Sequence, residues 1–378
     1  MQPCLKLTLY TLLTALQVVT ECLTRQIEKV AMSGHSIGTP MASHPQCGTC
    51  KTEQGLVRCQ GCQVVFYCSR DHQTSDWPQH GLTCETIKKT RNKVAAEVDR
   101  LNAVPDSREF REEPFENSVG HFWDIANTHD YMQARYDHVE ELLKIKNRTA
   151  VQTALDHLLD MLRLDRGDNM CVQYFVPALY LRLGREQACY DFIKWWRTSA
   201  TDDNHDLDDM DLPYLDIENA NAFEPLQVLT MNDAGLPHRA MLCLLKWRLG
   251  SDLTTLENAS IAAGDKVPAK LLNAIRSHML NPAAHNNITL KRDVENGRDI
   301  DGHLDQLEQQ VNYLFNTLQY FNEHYWGAVV EPGSHLTARP PGYSLDDVSE
   351  MQLALAQTYD AWAETPGAIE WVKRKVAA

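Results

Sequence analysis

The stretch CQGCQVVFYCSRDHQTSDWPQHGLTC, residues 59–84, contains four cysteines and two histidines. A further cysteine pair, CGTC at 47–50, lies just upstream. The complete series is Cys47-x2-Cys50-x8-Cys59-x2-Cys62-x5-Cys68-x3-His72-x7-His80-x3-Cys84. Disulfides, redox sites and metal sites all use these residue types, so spacing and cell compartment have to distinguish among them.

Every part of this series is a pair of residues that can chelate one metal ion. A Cys-x2-Cys turn directs two sulfurs at the same ion, which is typical of structural zinc sites. The Cys-x3-His and His-x3-Cys pairs place their ligands on one face of a helical turn. Four pairs supply enough ligands for two closed tetrahedral zinc sites, with no open position for a catalytic water. The spacing therefore predicts two structural zinc ions, but it leaves open which pairs share an ion.

The distribution of cysteine along the chain also favours metal binding. Six of the eleven cysteines lie between residues 47 and 84, and the other five are scattered through apolar contexts. A disulfide framework usually staples a small secreted domain throughout, rather than one segment of a long chain. Because a thiolate cluster is at risk in an oxidising compartment, we predict a cytoplasmic or nuclear location.

The charge of the chain argues against nucleic acid as a partner. There are 36 Lys and Arg against 51 Asp and Glu, a net charge of −15. Residues 1–93 carry ten basic and six acidic side chains, which is +4, so the remaining residues carry −19. A body this acidic repels phosphate backbones. Residues 47–84 have three basic and three acidic side chains, so they form no basic stripe either.

An apolar stretch near the N-terminus, CLKLTLYTLLTALQVVTEC at 4–22, resembles a weak signal peptide or anchor. Thr and Gln interrupt it, and it is shorter than the roughly 20 apolar residues that span a bilayer. We therefore expect no stable membrane insertion. A third possibility is that Met41 is the working start, and we predict that residues 1–40 are a poorly defined extension.

The series from Cys47 to Cys84, with FYCSRDHQTSDWPQH between its two halves, closely resembles the MYND-type zinc finger. In that family the ligand pairs interleave. The resemblance therefore assigns one zinc to Cys47, Cys50, Cys68 and His72, and the other zinc to Cys59, Cys62, His80 and Cys84. Most family members have cysteine at the position of His72. Imidazole is a normal zinc ligand, so we expect the site to be kept; the alternative is a degenerate first site.

The same resemblance implies a function in protein interaction. MYND fingers bind proteins, and several of them take short proline-containing peptides. The positions of Gln73 and Trp77 belong to the peptide-facing surface in the family, and the two residues are four apart on the predicted helix. The alternative is that Trp77 only packs the small core of the finger.

Beyond the finger the pattern is helical almost throughout. Apolar residues recur at steps of three and four between residues 132 and 162, and strand-like alternation is scarce. We predict a mainly α chain, with a finger at 41–90, a helix and linker at 91–120, and an all-helical domain at 121–378. An acidic segment at 201–220 lacks the glycine and glutamate offsets of an EF-hand, so it is interpreted as a loop.

A helical hairpin is predicted within residues 165–196. Its first helix is capped at Asp168 or Asn169 and stops at Gly184, and a second helix follows. The same Arg-Leu-Gly triplet recurs 66 residues later and predicts another helix end at Gly250. This pattern resembles divergent tetratricopeptide-type proteins, which implies stacked helical pairs. The alternative is an ordinary irregular helical domain.

The leading hypothesis is a non-enzymatic adaptor, in which the finger and the helical-repeat scaffold each hold a protein partner. The rival is a relative of the MYND lysine methyltransferases, either SET-less and acting in transcription regulation or an active enzyme. Those enzymes have a cofactor motif resembling Asn-His-Ser-Cys and a cysteine-rich post-SET segment. The chain has no CxC pair, and it lacks GxGxxG and HExxH motifs.

Overall fold

A computed structural model describes residues 41–103, 114–202, 205–227, 229, 235–263 and 266–378. The predicted extension at 1–40, with its apolar stretch, lies outside these ranges. Two short strands come first, and helices make up the regular structure that follows them. The prediction of a mainly α chain with an N-terminal finger is confirmed.

The two strands of the finger come first along the chain, and the helices follow them. The elements are β1 (Val57–Arg58), β2 (Phe66–Tyr67), α1 (Arg70–Asn102), α2 (Pro114–Asn117), α3 (His129–Leu143), α4 (Arg148–Leu164), α5 (Val176–Arg182), α6 (Glu186–Arg197), α7 (Leu236–Ala263), α8 (Ala269–Met279), α9 (Pro282–His285), α10 (Ile288–Glu295), α11 (Asp301–Phe321), α12 (Tyr325–Val330), α13 (Val348–Ala363) and α14 (Ala368–Val376). The two strands pair antiparallel, with Val57 opposite Tyr67.

Helix α1 joins the finger to the body. It begins at Arg70 inside the finger and continues to Asn102, across the predicted boundary at residue 90. Its C-terminal half packs along α3, and Ile87 and Leu101 on this face are completely buried. The finger is therefore attached through a continuous helix that is itself part of the body's packing.

The buried apolar side chains form two large clusters. The N-terminal core combines finger residues such as Val64 and Val65 with α1, α3, α4 and part of α6, up to Trp196. The C-terminal core extends from Ala178 to Val372 and is built mainly on the long contact between α7 and α11. Because the finger's apolar residues belong to the first cluster, its small core is completed by the helical body.

Trp326 is at the centre of the C-terminal core and is completely buried. Its indole stacks on Phe315, with ring centroids 4.6 Å apart, and meets the edge of Trp362 at 5.4 Å. Its Nε1 donates a hydrogen bond to the Phe315 carbonyl at 3.1 Å, so the polar atom of this buried ring is satisfied. These aromatic contacts connect α11, α12 and α13.

The predicted hairpin at 165–196 is confirmed as α5 and α6, but the predicted start of its first helix next to Asp168 or Asn169 is wrong, because the α-helix begins at Val176. The Asp168 carboxylate accepts hydrogen bonds from the backbone nitrogens of Val172 and Gln173, which start the short 3₁₀ turn before α5. Gly184 ends the hairpin's first arm with φ +69°, a left-handed conformation that glycine adopts without strain.

The predicted helix end at Gly250 is wrong. Helix α7 passes through Gly250 and continues to Ala263, because Leu253 and Leu256 carry its buried face beyond the glycine. Burial of this face outweighs the cost of roughly 1 kcal/mol for glycine inside a helix. The described helices range from 4 to 33 residues, without a regular period, and the likeness to tetratricopeptide repeats stays a prediction.

The described part of the acidic segment is without helix or strand between residues 205 and 220. Arg166 holds it to the body by donating to the carbonyls of Asp209 and Leu212 and by lying over the Tyr214 ring.

No described helix combines the length with the apolar composition that crossing a bilayer demands.

Candidate metal centres and the adjoining groove

The first cluster of metal-ligating side chains consists of Cys47, Cys50, Cys68 and His72. The Nδ1 atom of His72 is 3.1 Å from the Cys68 sulfur and 3.6 Å from the Cys47 sulfur, and the Cys50 and Cys68 sulfurs are 3.6 Å apart. His72 therefore completes the first site at the position where most family members have cysteine.

The second cluster consists of Cys59, Cys62, His80 and Cys84, all of them buried. The Cys59 and Cys84 sulfurs are 3.6 Å apart, and the Cys62 sulfur is 3.6 Å from Nε2 of His80. In both clusters the ligand atoms lie within 4.8 Å of one another. The interleaved ligand assignment that the family resemblance implied is confirmed.

Both Cys-x2-Cys turns have the same backbone geometry. The residue after the second cysteine, Lys51 in one turn and Gln63 in the other, has φ 63°. Its backbone nitrogen donates to the carbonyl of the first cysteine, Cys47 or Cys59, at 3.0 Å. This left-handed step folds each turn tightly enough to direct two sulfurs at one point.

Helix α1 supplies the remaining ligands next to the turns. Ser69 caps the helix by accepting a hydrogen bond from the His72 backbone nitrogen at 3.2 Å, which orients the first turn that carries His72. His80 and Cys84 follow one turn apart on the buried face of the same helix. The helix start therefore serves the first site, and its third and fourth turns serve the second site.

The distances and donor chemistry of both clusters fit zinc. A tetrahedral zinc ion with Zn–S bonds of about 2.3 Å and Zn–N bonds of about 2.0 Å separates its ligand atoms by roughly 3.5–3.8 Å. The observed sulfur separations are close to this range and far from the ~2.05 Å of a disulfide bond, and the cysteines of both clusters are free thiols. Two Cys3His sites for structural zinc follow.

Burial shifts the pKa values of two ligands in the second site, His80 and Cys84. Burial lowers the pKa of His80, which keeps its imidazole neutral and able to bind an ion. Burial and the neighbouring Cys59 sulfur raise the pKa of Cys84 to about 12 when no cation is between them. Bound zinc lowers the pKa of the Cys84 thiol again, because the ion's charge deprotonates a coordinating thiol.

Polar side chains of α1 support the second site. Nε2 of Gln73 lies 3.6 Å from the Cys59 sulfur and donates to it, so this predicted peptide-facing residue also contacts a zinc ligand. The buried Tyr67 hydroxyl donates to Asp76 at 2.6 Å and ties the second strand to the helix.

A groove of about 560 Å³ lies on the outer side of the finger. The two predicted residues, Gln73 and Trp77, both line it, together with Val57, Arg58, Tyr67, Ser69, Arg70, Thr74 and Pro78. The Trp77 indole rests on Gly81, where an added Cβ would approach it to 2.9 Å, and yet the residue is 44% exposed. Trp77 therefore packs on its own helix and also presents one face to solvent.

A contact that sequence reasoning missed joins the finger to α4. Asn147 caps that helix by accepting from the Ala150 nitrogen at 2.8 Å, and its amide donates to the Val64 carbonyl at 2.9 Å. Only the cap could have been anticipated, because an asparagine before a helix is a common N-cap. The partner of its amide is 83 residues away and is set by tertiary packing.

Residues 47–84 match the family model of the MYND finger, a protein-interaction module. A region of 57 residues is 37% identical to SET domain and MYND-type zinc finger protein 6 of Schizosaccharomyces pombe, covering 15% of this chain and 12% of that protein. A region of 59 residues is 39% identical to N-lysine methyltransferase SMYD2-B of Xenopus laevis, covering 15% and 14%. A third likeness, 50% over 38 residues, is to the zinc finger MYND domain-containing protein 10 homolog of Drosophila melanogaster, covering 10% and 8%.

These likenesses are confined to small parts of the proteins compared. The chain spans no more than 14% of the length of these three relatives. No solved structure matches the chain. The likenesses define the finger and leave the helical body to be interpreted from its own residues.

We expect the two zinc ions to leave the finger at different rates. Cys50 is exposed and Cys68 is half-buried in the first site, whereas all four ligands of the second site are buried. A chromogenic chelator should therefore remove zinc in two phases. Alkylation followed by mass spectrometry should find Cys50 modified in the first phase and Cys59 protected until the second.

Cys171 serves as the internal reference for this experiment, because it is exposed on the body and distant in sequence from both sites. Its alkylation should be independent of zinc loss. Release in a single phase, or early alkylation of Cys59, would contradict the expected order.

Proposed function

We propose that this chain is a non-enzymatic adaptor whose finger and helical body each hold a protein partner. The observation that carries this proposal is the groove beside two closed zinc sites, with the exposed indole of Trp77 on its wall. Both zinc sites use four protein ligands, so the ions have a structural function. Thiolate sites of this kind suit the reducing cytoplasm or nucleus.

The chemistry of the groove fits a short proline-containing peptide. Trp77 and Pro78 offer apolar surface, and proline-rich chains are preformed in an extended conformation that docks on aromatic side chains at low entropic cost. Arg58 and Arg70 at the groove add donors for peptide carbonyls or acidic side chains. Gln73 acts mainly by holding Cys59, with its remaining amide capacity available to the ligand.

The second candidate is a relative of the MYND lysine methyltransferases that acts in transcription regulation. Similarity to N-lysine methyltransferase SMYD2-B supports it, although that similarity covers only 15% of this chain. A methyl-transfer assay with a labelled donor separates the two candidates. Robust transfer to a protein substrate would favour the enzyme, and absence of transfer with retained peptide binding would favour the adaptor.

We expect Trp77→Ala to abolish capture of the finger's partner while leaving both zinc sites filled. The indole lines the groove but is not a ligand, so truncating it removes binding surface and little else. Loss of a central tryptophan in an interface typically costs 2 kcal/mol or more, about a 30-fold weakening. Affinity capture and then titration of the captured protein's proline-containing segment measure this.

The matched control is Leu82→Ala. Leu82 is 80% exposed on the same helix and lies outside the groove lining. The Leu82→Ala variant should capture the same proteins as the unmodified chain. Both this variant and the Trp77→Ala variant should hold two zinc ions. Equal capture by the Trp77→Ala variant would show that the groove is not the binding surface.

A further inference from the structure

We propose that the finger's groove also binds a second copy of this chain, through the exposed segment ARPPGYSLDD at 338–347. This inference rests on the proposed peptide-binding function of the groove and names one ligand for it. The segment connects the 3₁₀ helix Gly333–Thr337 to α13. It contains two adjacent prolines followed by Tyr343 and Leu345.

The segment exposes large apolar side chains at regular positions. Residues 341–346 are all exposed, with Tyr343 at 60% and Leu345 at 77%. Apolar side chains exposed this far within one short loop present a surface that a partner can cover. The preceding Pro340 and Pro341 restrict the backbone and reduce the entropy lost on binding.

The segment is held to the body near both of its ends, while the Tyr343 and Leu345 side chains remain exposed. The Ser344 nitrogen donates to the Ser349 hydroxyl at 3.2 Å, and the Asp346 nitrogen donates to the Glu350 carboxylate at 2.8 Å. The Arg339 guanidinium lies 3.9 Å from Glu140 on α3. Since these backbone donors are already used, recognition has to come from the side chains rather than from added strand pairing.

The charges of the two surfaces are complementary. Two of the three basic residues between residues 47 and 84, Arg58 and Arg70, line the groove and are exposed. The segment carries the exposed Asp346, whereas the Asp347 carboxylate caps α13 by accepting from the Ser349 and Glu350 nitrogens. The segment belongs to a body that carries −19 beyond residue 93. Opposite charges at the rim favour encounter and set the direction in which the segment lies.

The contact has to be made between copies. Every residue lining the groove belongs to the finger, so the segment does not occupy the groove of its own chain. Each copy then offers one groove and one segment, which makes the contact head-to-tail and gives dimers or longer assemblies.

Complementation between two variants tests the inference. We expect the mass of the unmodified chain, by light scattering, to rise above the monomer as concentration increases from about 1 μM to 1 mM. Trp77→Ala removes the groove, Tyr343→Ser removes the segment, and each should weaken association about 30-fold. An equimolar mixture contains one intact groove and one intact segment, so it should form a 1:1 dimer and nothing larger.

The controls are Leu82→Ala for the groove and Tyr320→Ser for the segment. Tyr320 is 81% exposed on α11. Tyr320→Ser therefore removes the same kind of exposed side chain as Tyr343→Ser, but from a surface outside the segment. Both controls should associate like the unmodified chain, and all variants should hold two zinc ions. A synthetic peptide of residues 338–347 should bind the intact chain, and its Tyr343→Ser form should bind about 30-fold more weakly.

Three outcomes would overturn the inference: a monomer over the whole concentration range, association that persists in both variants, or a mixture that remains monomeric. If the chain is monomeric but still captures another protein through Trp77, the inference fails and the proposed adaptor function stands. If self-association needs Trp77 and no other protein is captured, the groove serves this chain alone and the adaptor proposal fails.

Discussion

Cys59→Ser is expected to empty the second zinc site and unfold the finger. The Cys59 sulfur contacts Cys84 at 3.6 Å inside a fully buried site, and removing one ligand leaves three groups that hold zinc far more weakly. Structural zinc contributes about 10–16 kcal/mol to small fingers at pH 7, as much as a whole domain's stability. Zinc content should fall from two ions to one or fewer.

The damage should stay close to the finger. Residues 47–69 should lose protection from hydrogen exchange, while circular dichroism retains the helices of the body. Some loss of thermal stability is expected in α3 and α4, because finger residues belong to the N-terminal core. Cys171→Ser is the control, since Cys171 is exposed and outside both clusters. Two zinc ions in the Cys59→Ser protein, or complete loss of helix, would contradict this prediction.

Trp326→Ala is expected to lower the free energy of unfolding by about 3–5 kcal/mol, the usual cost of deleting a buried tryptophan. The substitution removes the stack on Phe315, the edge contact with Trp362 and the hydrogen bond to the Phe315 carbonyl. Chemical denaturation followed by circular dichroism measures the loss. Zinc content should remain at two ions, because Trp326 belongs to the C-terminal core and the finger residues belong to the N-terminal core.

The control for this prediction is Tyr320→Ala on the neighbouring helix. Tyr320 is 81% exposed, and surface substitutions usually change stability by no more than about 0.5 kcal/mol. A loss below 1 kcal/mol for Trp326→Ala would show that the aromatic cluster is not tightly packed. Loss of zinc would show that the two cores unfold as one unit.

The spacing of cysteine and histidine allowed all eight zinc ligands to be predicted, because chelation geometry is local. A Cys-x2-Cys turn or a pair one helical turn apart has its ligand positions set by a few backbone angles. Which ligand pairs share a zinc ion is not decided locally. Only the resemblance to the MYND family indicated that Cys47 and Cys68 bind one ion and that Cys59 and Cys84 bind the other. The predominance of helix was equally readable from apolar periodicity.

Helix ends were less predictable, as the glycines of the two Arg-Leu-Gly triplets show. Gly184 ends its helix with φ +69°, whereas Gly250 lies within α7. The local preference of glycine is worth only about 1 kcal/mol, so the burial of Leu253 and Leu256 against other helices decides the outcome at Gly250.

The sequence by itself determined the zinc-binding residues and the all-helical character of the body, because both depend on contacts within one or two turns of chain. The attachment of the finger was decided by tertiary structure. It depends on Asn147 reaching the Val64 carbonyl and on α1 burying Ile87 against the body. The groove beside Trp77 and the exposed segment at 338–347 are also tertiary properties, since exposure depends on which surfaces the rest of the fold covers.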